Sequence, residues 1–449
     1  MLWAATSWSY TVSGNVYKTN GSQSDVQAAC SAAPDNGTAT VLIPNGNYTW
    51  AGNLTITHSL TLAGASAAGV TINNAYANGN LINATSSANG HINIYWLNFE
   101  QVANNGGGSG YTLNLGRTDS VHTVLVHDCT FSNPTVFGYQ VNVQQNGFVF
   151  WNDVFIGDGK DAEGYSGGSI TGINFVAIGY GYTSSWNTPD TMGSADTTGL
   201  GNSYVEDCSF YDATDSCSNS DDNARTVFRY CTFQDAMLMT HGQDTSPIGV
   251  RHWEVYNNAF LFNSSGTGPS GCTYPINMQD WLTIRGGTGI VTGNSMDDIP
   301  GKTGVQLDVY SINEGFNDGA GGTACSLEYP APRQTGWGWS SSSTAYFGKV
   351  EAGSNPQLLL DGKSPGAFLP DGTGATLDPV YIWNNTGGET TDPNYVAANQ
   401  FTPDNCGNGE QISTFLQQNR DYHVNTARPG WAPYTYPHPL HKQFALVTQ

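Results

Sequence analysis

Six segments of this chain share one pattern: alternating apolar residues, then a bend residue that is most often Asn, Asp or Cys, one more residue, and a closing Phe. They are Ile92–Phe99, Val124–Phe131, Phe148–Phe155, Ser203–Phe210, Thr226–Phe233 and Trp253–Phe260, with a weaker copy ending at Met296. The closing positions are separated by 32, 24, 55, 23, 27 and 36 residues. A repeat of roughly 20–50 residues marks a solenoid, in which no unit can bury its apolar face alone and neighbours stack to share one core. The steps of 23 and 24 residues read as one coil. Longer steps read as a coil plus a loop, and the 55-residue step as two coils.

Side chains of a strand alternate between faces. Counting back from each closing residue, the fifth position holds Ile94, Val126, Phe150, Val205, Phe228, Val255 and Val291, all apolar, so this column faces inward. The fourth-back column, Tyr95, His127, Trp151, Glu206, Arg229, Tyr256 and Thr292, then faces outward, with Trp383 continuing it. So does the sixth-back column, Asn93, Leu125, Val149, Tyr204, Val227, Glu254 and Ile290. Two before the close come Leu97, Cys129, Asp153, Cys208, Cys231, Asn258 and Asn294, a bend column whose polar members bond to neighbouring backbone. Cys208 and Cys231 in it are expected as packed thiols, because free Cys is commonly buried. Of the eight Cys, the four in loops or caps, Cys217, Cys272, Cys325 and Cys406, are the expected bridge partners.

The fold expected is all-β: a single-stranded right-handed parallel β-helix of about ten coils, one domain over 1–449. A short amphipathic helix at about 20–35, capped by Ser24 or Asp25, closes the N-terminal end of the core. Regular coils fill about 36–300, and 301–449 holds the last coils and a loop-rich C-terminal cap, where Pro379–Thr386 restores the pattern. Composition agrees: 55 Gly and only 11% charged residues suit strands joined by tight turns.

The net charge of −22 repels nucleic acid and anionic membranes, and no stretch is long and apolar enough for a membrane span. Residues 1–6 lack a basic start and a long apolar run, and read as the remnant of a removed signal peptide. With the even Cys count, this points to an extracellular or periplasmic protein.

The opening Asp25-Val-Gln-Ala-Ala, then Val41–Trp50 and Leu60–Ser66, resembles bacterial secreted β-helix proteins of the pectate-lyase-like superfamily. So do Arg225–Phe233, His241-Gly, Arg251–Phe260 and Tyr436–Leu440. The resemblance spans nearly the whole chain and implies the fold and secretion. It implies a polysaccharide ligand but not one reaction, since such proteins include lyases, hydrolases, epimerases and binders. The paired-Asp signature of polygalacturonases is absent, and no calcium-Asp set of pectate lyases is evident.

Chemistry is expected where the outward columns place aromatics, acids and Arg on neighbouring rungs about 4.8 Å apart. Glu206, Arg229, His241, Arg251 and Glu254 are the candidate catalytic residues. Tyr95, His127, Trp151, Tyr204, Arg225 and Tyr256 are the candidate sugar contacts. In a lyase, Arg neutralises a uronate carboxylate and His241 or Tyr256 is the base. In a hydrolase, Glu206 and Glu254 are the carboxylate pair. An Arg–Glu ladder that only holds strands in register is the structural alternative. Asp158, Asp161 and Glu163 are candidate Ca²⁺ ligands, or a solvated turn with no cofactor. His438 and His441 read as packing of the C-terminal cap. The leading function is a secreted lyase cleaving a uronate polysaccharide by β-elimination. A glycoside hydrolase comes second, and a non-catalytic glycan-binding adhesin, fibre or sheath subunit third. Monomer and lateral self-assembly stay equally open.

Overall fold

The computed structural model describes residues 10–76, 79–101, 110–132, 138–160, 170–176, 196, 198–221, 223–241, 250–278, 280–302, 304–307, 335–339, 375–387, 396–398 and 416–443. Each Phe-ended segment is two strands rather than one. Ile92–Tyr95 is followed by Asn98–Gln101, and Val124–His127 by Thr130–Ser132. The break is a single left-handed residue: Trp96, Asp128, Asn152, Asp207, Tyr230 and Asn257 have φ between 52° and 59°. Asn and Asp tolerate this conformation because their short polar side chains bond locally. Trp96 and Tyr230 are the two bulky exceptions among these six.

The strands before the bend stack into one 13-stranded sheet, parallel except for its first pair. Its register sets Trp151 beside Glu206, Glu206 beside Arg229, Arg229 beside Tyr256, Tyr256 beside Thr292 and Thr292 beside Trp383. The outward column expected from the repeat is therefore a true rung-by-rung column. The strands after the bend stack into a second parallel ladder, and a third ladder contains Ile82–Ser86, Leu113–Arg117, Val141–Val143 and Ile170–Val176. Two long strands, Ser209–Asp221 and Thr232–Thr240, run from the second ladder into the third, so the two form one 17-stranded sheet. This is a parallel β-helix type of architecture with few helices.

Between the ladders lies the core. Val126, Phe150, Val205, Phe228, Val255 and Val291 are buried in it. The closing Phe99, Phe131, Phe155, Phe210, Phe233 and Phe260 form one continuous stack, ring centroids 4.7 to 5.2 Å apart. The bend column bonds as expected: Asn258 Oδ1 accepts from Cys231 N, Asn294 Oδ1 from Asn258 N, and Asn385 Oδ1 from Asn294 N. Burial pushes the pKa of the Asp153 carboxyl well up, and its bond from Cys129 N acts in the opposite sense.

Three expectations need correction. The 55-residue step holds one coil, because Phe155 pairs directly with Phe210, and the extra residues fall on both sides of the strand Ile170–Val176. The helix, Gln23–Ala32, is capped by Ser22 and not by Ser24 or Asp25, whose carboxylate instead accepts from Tyr10 N and Asn20 N. Cys217 and Cys272 are free thiols, as are Cys30, Cys129, Cys208 and Cys231. Cys217 lies in the core because its strand continues through the position read as a loop. Cys325 and Cys406 lie outside the described residues. Among the described residues no helix is long and apolar enough to cross a membrane.

Candidate functional site

The outward face of the first sheet is not an open groove. The C-terminal segment lies across it, and a second apolar cluster forms there from Leu125, Val149, Trp151, Tyr204, Val227, Tyr256, Ile290 and Trp383 with Tyr434, Trp431 and Leu440. Arg229 and Glu206 form a fully buried ion pair. The Arg229 guanidinium also donates to Tyr256 Oη and to the carbonyls of Tyr434 and Thr435, at 2.8 to 3.0 Å. Glu206 Oε2 accepts from His438 N at 3.0 Å. Glu254, also fully buried, accepts from Trp431 Nε1 at 3.0 Å and lies 3.2 Å from His252 Nε2. Tyr95, His127, Trp151 and His441 form a four-ring stack. Tyr204 donates to Asp196 and meets the Tyr434 and His438 rings. Glu206, Arg229, Glu254, Tyr204, Trp151 and Tyr256 therefore clamp the chain's own C-terminal segment. The polar groups of Glu206, Arg229, Glu254, Tyr204 and Tyr256 bond to protein, and sequence periodicity cannot reveal a cover that comes from about 200 residues away.

His241, Arg225 and Arg251 sit elsewhere, on the edge where third-ladder strands turn into first-sheet strands. His241 N donates to Ser220 O, Val250 N to His241 O, and Arg251 N to Ala224 O, so consecutive coils bring these residues to one turn. Asp221 ends its strand at this edge, and Arg285 N donates to Thr240 Oγ1 one coil further on. Arg117, which ends the strand Leu113–Arg117, lies on the same edge several coils earlier. There it lines a cleft of about 690 Å³ with Asp119, Gln144, Gln145, Asn146 and Asn223. Asn146 ties the cleft to the His241 region: its amide donates to Asn223 O and accepts from Arg225 N.

The electrostatics of this edge are mixed. Burial lowers the pKa of the Arg117 guanidinium, while Asp119 and Asp196 act in the opposite sense. Burial opposes ionisation of Asp119, but bonds from the His122 and Val121 N–H groups and the His122 ring hold its carboxyl down to about 2. Asp119 Oδ2 lies 2.9 Å from His122 Nδ1. Burial pushes Asp215 up to about 6, with Arg285 opposing.

A third feature went unread in the sequence. On the outward side of the third ladder Asn83, Asn114, Asn142, Asn174 and Asn219 pair in register and bond amide to amide at 2.8 to 3.0 Å. The column ends at His241, whose Nδ1 lies 2.5 Å from Asn219 Oδ1. Its signal was present as an Asn between two inward residues: Ile82-Asn-Ala84, Leu113-Asn-Leu115, Val141-Asn-Val143 and Ile173-Asn-Phe175.

For a cation, Asp158 is already paired with Lys160, and Asp161 and Glu163 lie outside the described residues. Glu206, Asp207 and His441 bring three ligand atoms within 4.8 Å. Both Glu206 oxygens there are engaged by Arg229 and His438, and Asp207 accepts from Tyr436 Oη.

No family model matches the chain, and no curated protein matches it in sequence. Among solved structures it is similar to an alginate lyase from Paenibacillus sp. strain FPU-7, at 12% identity and a TM-score of 0.42, covering 65% of this chain and 90% of that one. It is similar to a mannuronic acid specific polysaccharide family 6 lyase from human gut microbiota, at 14% identity and a TM-score of 0.43, covering 84% and 76%. It is also similar to ORF18 of Geobacillus virus E2, at 13% identity and a TM-score of 0.34, covering 63% and 53%. These are distant likenesses, and the chemistry of this chain rests on its own residues.

Proposed function

We propose that this chain is a lyase that cleaves a uronate-containing polysaccharide by β-elimination along the edge between the third ladder and the first sheet. The observation that carries the reading is the placement of the arginines. Four of the chain's eight, Arg117, Arg225, Arg251 and Arg285, converge on this one edge of a protein whose net charge is −22, with Arg117 half-buried and Arg225, Arg251 and Arg285 buried. A chain of this net charge repels polyanions overall, and the arginines offer a carboxylated polymer its contact at the edge. A guanidinium fork matches a carboxylate in geometry and charge.

The chemistry follows from that contact. An Arg on the uronate carboxylate stabilises the negative charge that develops when the α-proton leaves. His241 takes the proton from C5, the electron pair forms the C4–C5 double bond, the C4–O bond breaks, and the leaving oxygen takes a proton from water. Tyr256, the other base considered, is covered and hydrogen-bonded to Arg229. The amides of Gln144 and Gln145 in the cleft offer donors and acceptors for sugar hydroxyls. A right-handed single solenoid belongs to the same reading, supported by the repeat; an extracellular or periplasmic location is proposed with it and draws no support from the cysteines, six of which are free thiols.

The test is a pair of variants. Arg225→Lys and Arg251→Lys keep the charge but remove the fork, and are expected to lower formation of unsaturated product at least tenfold in protein that circular dichroism shows to be folded, the loss of roughly 1.5–3 kcal/mol expected for a charge-assisted hydrogen bond. Undiminished product in both would remove the edge as the site.

A further inference from the structure

The asparagine column has a direction, and that direction reaches an imidazole. An amide side chain shows oxygen on one side and nitrogen on the other, and the two are told apart only by their partners. Here one partner settles the first amide. Tyr111 N is a backbone donor and lies 3.1 Å from Asn80 Oδ1. With its oxygen so engaged, Asn80 turns its Nδ2 towards Asn83 Oδ1, at 3.0 Å. Asn83 therefore presents oxygen to the column, and Asn114 must answer with Nδ2, at 2.9 Å.

Every later rung inherits the same sense. Asn142 Nδ2 donates to Asn114 Oδ1, Asn174 Nδ2 to Asn142 Oδ1, and Asn219 Nδ2 to Asn174 Oδ1. Asn219 is left presenting Oδ1, an acceptor, to His241 Nδ1. A ring nitrogen 2.5 Å from a pure acceptor has to carry the hydrogen. In the neutral ring the lone pair then resides on Nε2.

We infer that this one-way amide ladder, pinned by the Tyr111 backbone N–H, fixes His241 as the Nδ1–H tautomer and so makes Nε2 its proton-accepting atom. Asn219 is then a positioning residue that selects which atom of His241 can act. Its role as part of a reaction rests on the lyase reading above; the tautomer itself does not.

The experiment reads the two separately. Long-range proton–nitrogen NMR on the full chain reports the protonation of each ring nitrogen, with His241→Gln identifying the His241 signals among the nine His. Above the ring's pKa, the wild type is expected to show Nδ1 protonated and Nε2 bare. Asn219→Leu is expected to lose this bias, giving a mixture of tautomers, and to lower any eliminase activity at least tenfold, part of the roughly 10²–10⁴-fold a positioned base contributes. Asn219→Asp keeps an acceptor and adds charge, so it should keep the tautomer and move the pH profile upward. A wild-type ring protonated at Nε2, or an unchanged Nδ1–H ring in Asn219→Leu, overturns the ladder. The expected tautomer behaviour in a protein that forms no unsaturated product upholds the ladder and overturns the lyase reading instead.

Discussion

Arg229 shows how one residue can satisfy a sequence pattern for a reason other than the one the pattern suggests. It lies outward, between Glu206 and Tyr256, as counting predicts. Yet its guanidinium is spent on Glu206 and on two carbonyls of the C-terminal segment. Removing it leaves Glu206 buried without its countercharge, so Arg229→Ala is expected to cost roughly 3–5 kcal/mol. Chemical denaturation measures this; a loss below about 1 kcal/mol would mean that the pair is replaceable by water. Burial opposes the Glu206 charge, but His441, Arg229 and His438 N–H together hold its pKa below the usual value. The stabilisation from a depressed carboxyl pKa is present above the unfolded value and is lost as pH falls through the folded one. The C-terminal clamp should therefore loosen in acid, seen as protease cleavage after residue 416 appearing before global unfolding. Asp235 has the opposite sign. Burial raises it to about 6 despite bonds from Asn263, so the folded state holds its proton more tightly than the unfolded. Its contribution is destabilising above that pH and fades as pH falls towards 3.8. Asp235→Asn is expected to raise Tm at pH 7 and to change it little at pH 4. Equal shifts at both pH values would contradict the assignment.

At the scale of elements, the C-terminal segment is the part that changes the reading. Deleting 426–449 removes Trp431, Tyr434 and Leu440 from the apolar cluster on the first sheet, and His438 from its bond to Glu206. The expected result is a Tm several degrees lower and a red-shifted emission as Trp151 meets water. Unchanged emission would place the cover elsewhere. The inward columns and the outward register were legible because a strand's period of two leaves no freedom once one face is apolar. Val205 and Phe228 could not move to solvent without taking Tyr204 and Val227 inward. The left-handed residue was not read: the repeat suggests a bend two before the close, whereas the left-handed residues lie three before it, at Asp128, Asn152, Asp207 and Asn257, in a column that Trp96 and Tyr230 interrupt. What covers a face was not legible. Tyr434 and Glu206 are far apart in sequence, and no local periodicity links them. His241, Arg225 and Arg251 were picked for their density in sequence, and the turn does gather them. Arg117 and Arg285 were missed because coils of unequal length scatter one edge over 169 positions (285 − 117 + 1).

For the whole molecule, charge sets what can approach. With 36 Asp and Glu against 14 Lys and Arg, the chain's overall charge repels a polyanion, and the proposed site requires that it gain at the arginine edge. Affinity for a uronate polymer should therefore fall when Arg117 is replaced by Ala, and a neutral polymer of the same length should bind more weakly than the uronate one. Isothermal titration of both polymers compares them directly; equal affinities would argue against a carboxylate contact. The central claim is the bond-breaking step itself. The measurement that tests it most directly is incubation of the full chain with a panel of uronate polysaccharides, read by ultraviolet absorbance and by product mass. The account predicts products that absorb and that weigh one water less than the hydrolytic fragment, with both signals absent in His241→Gln. Fragments that carry the added water and do not absorb, or polymer left intact by a folded protein, would contradict it.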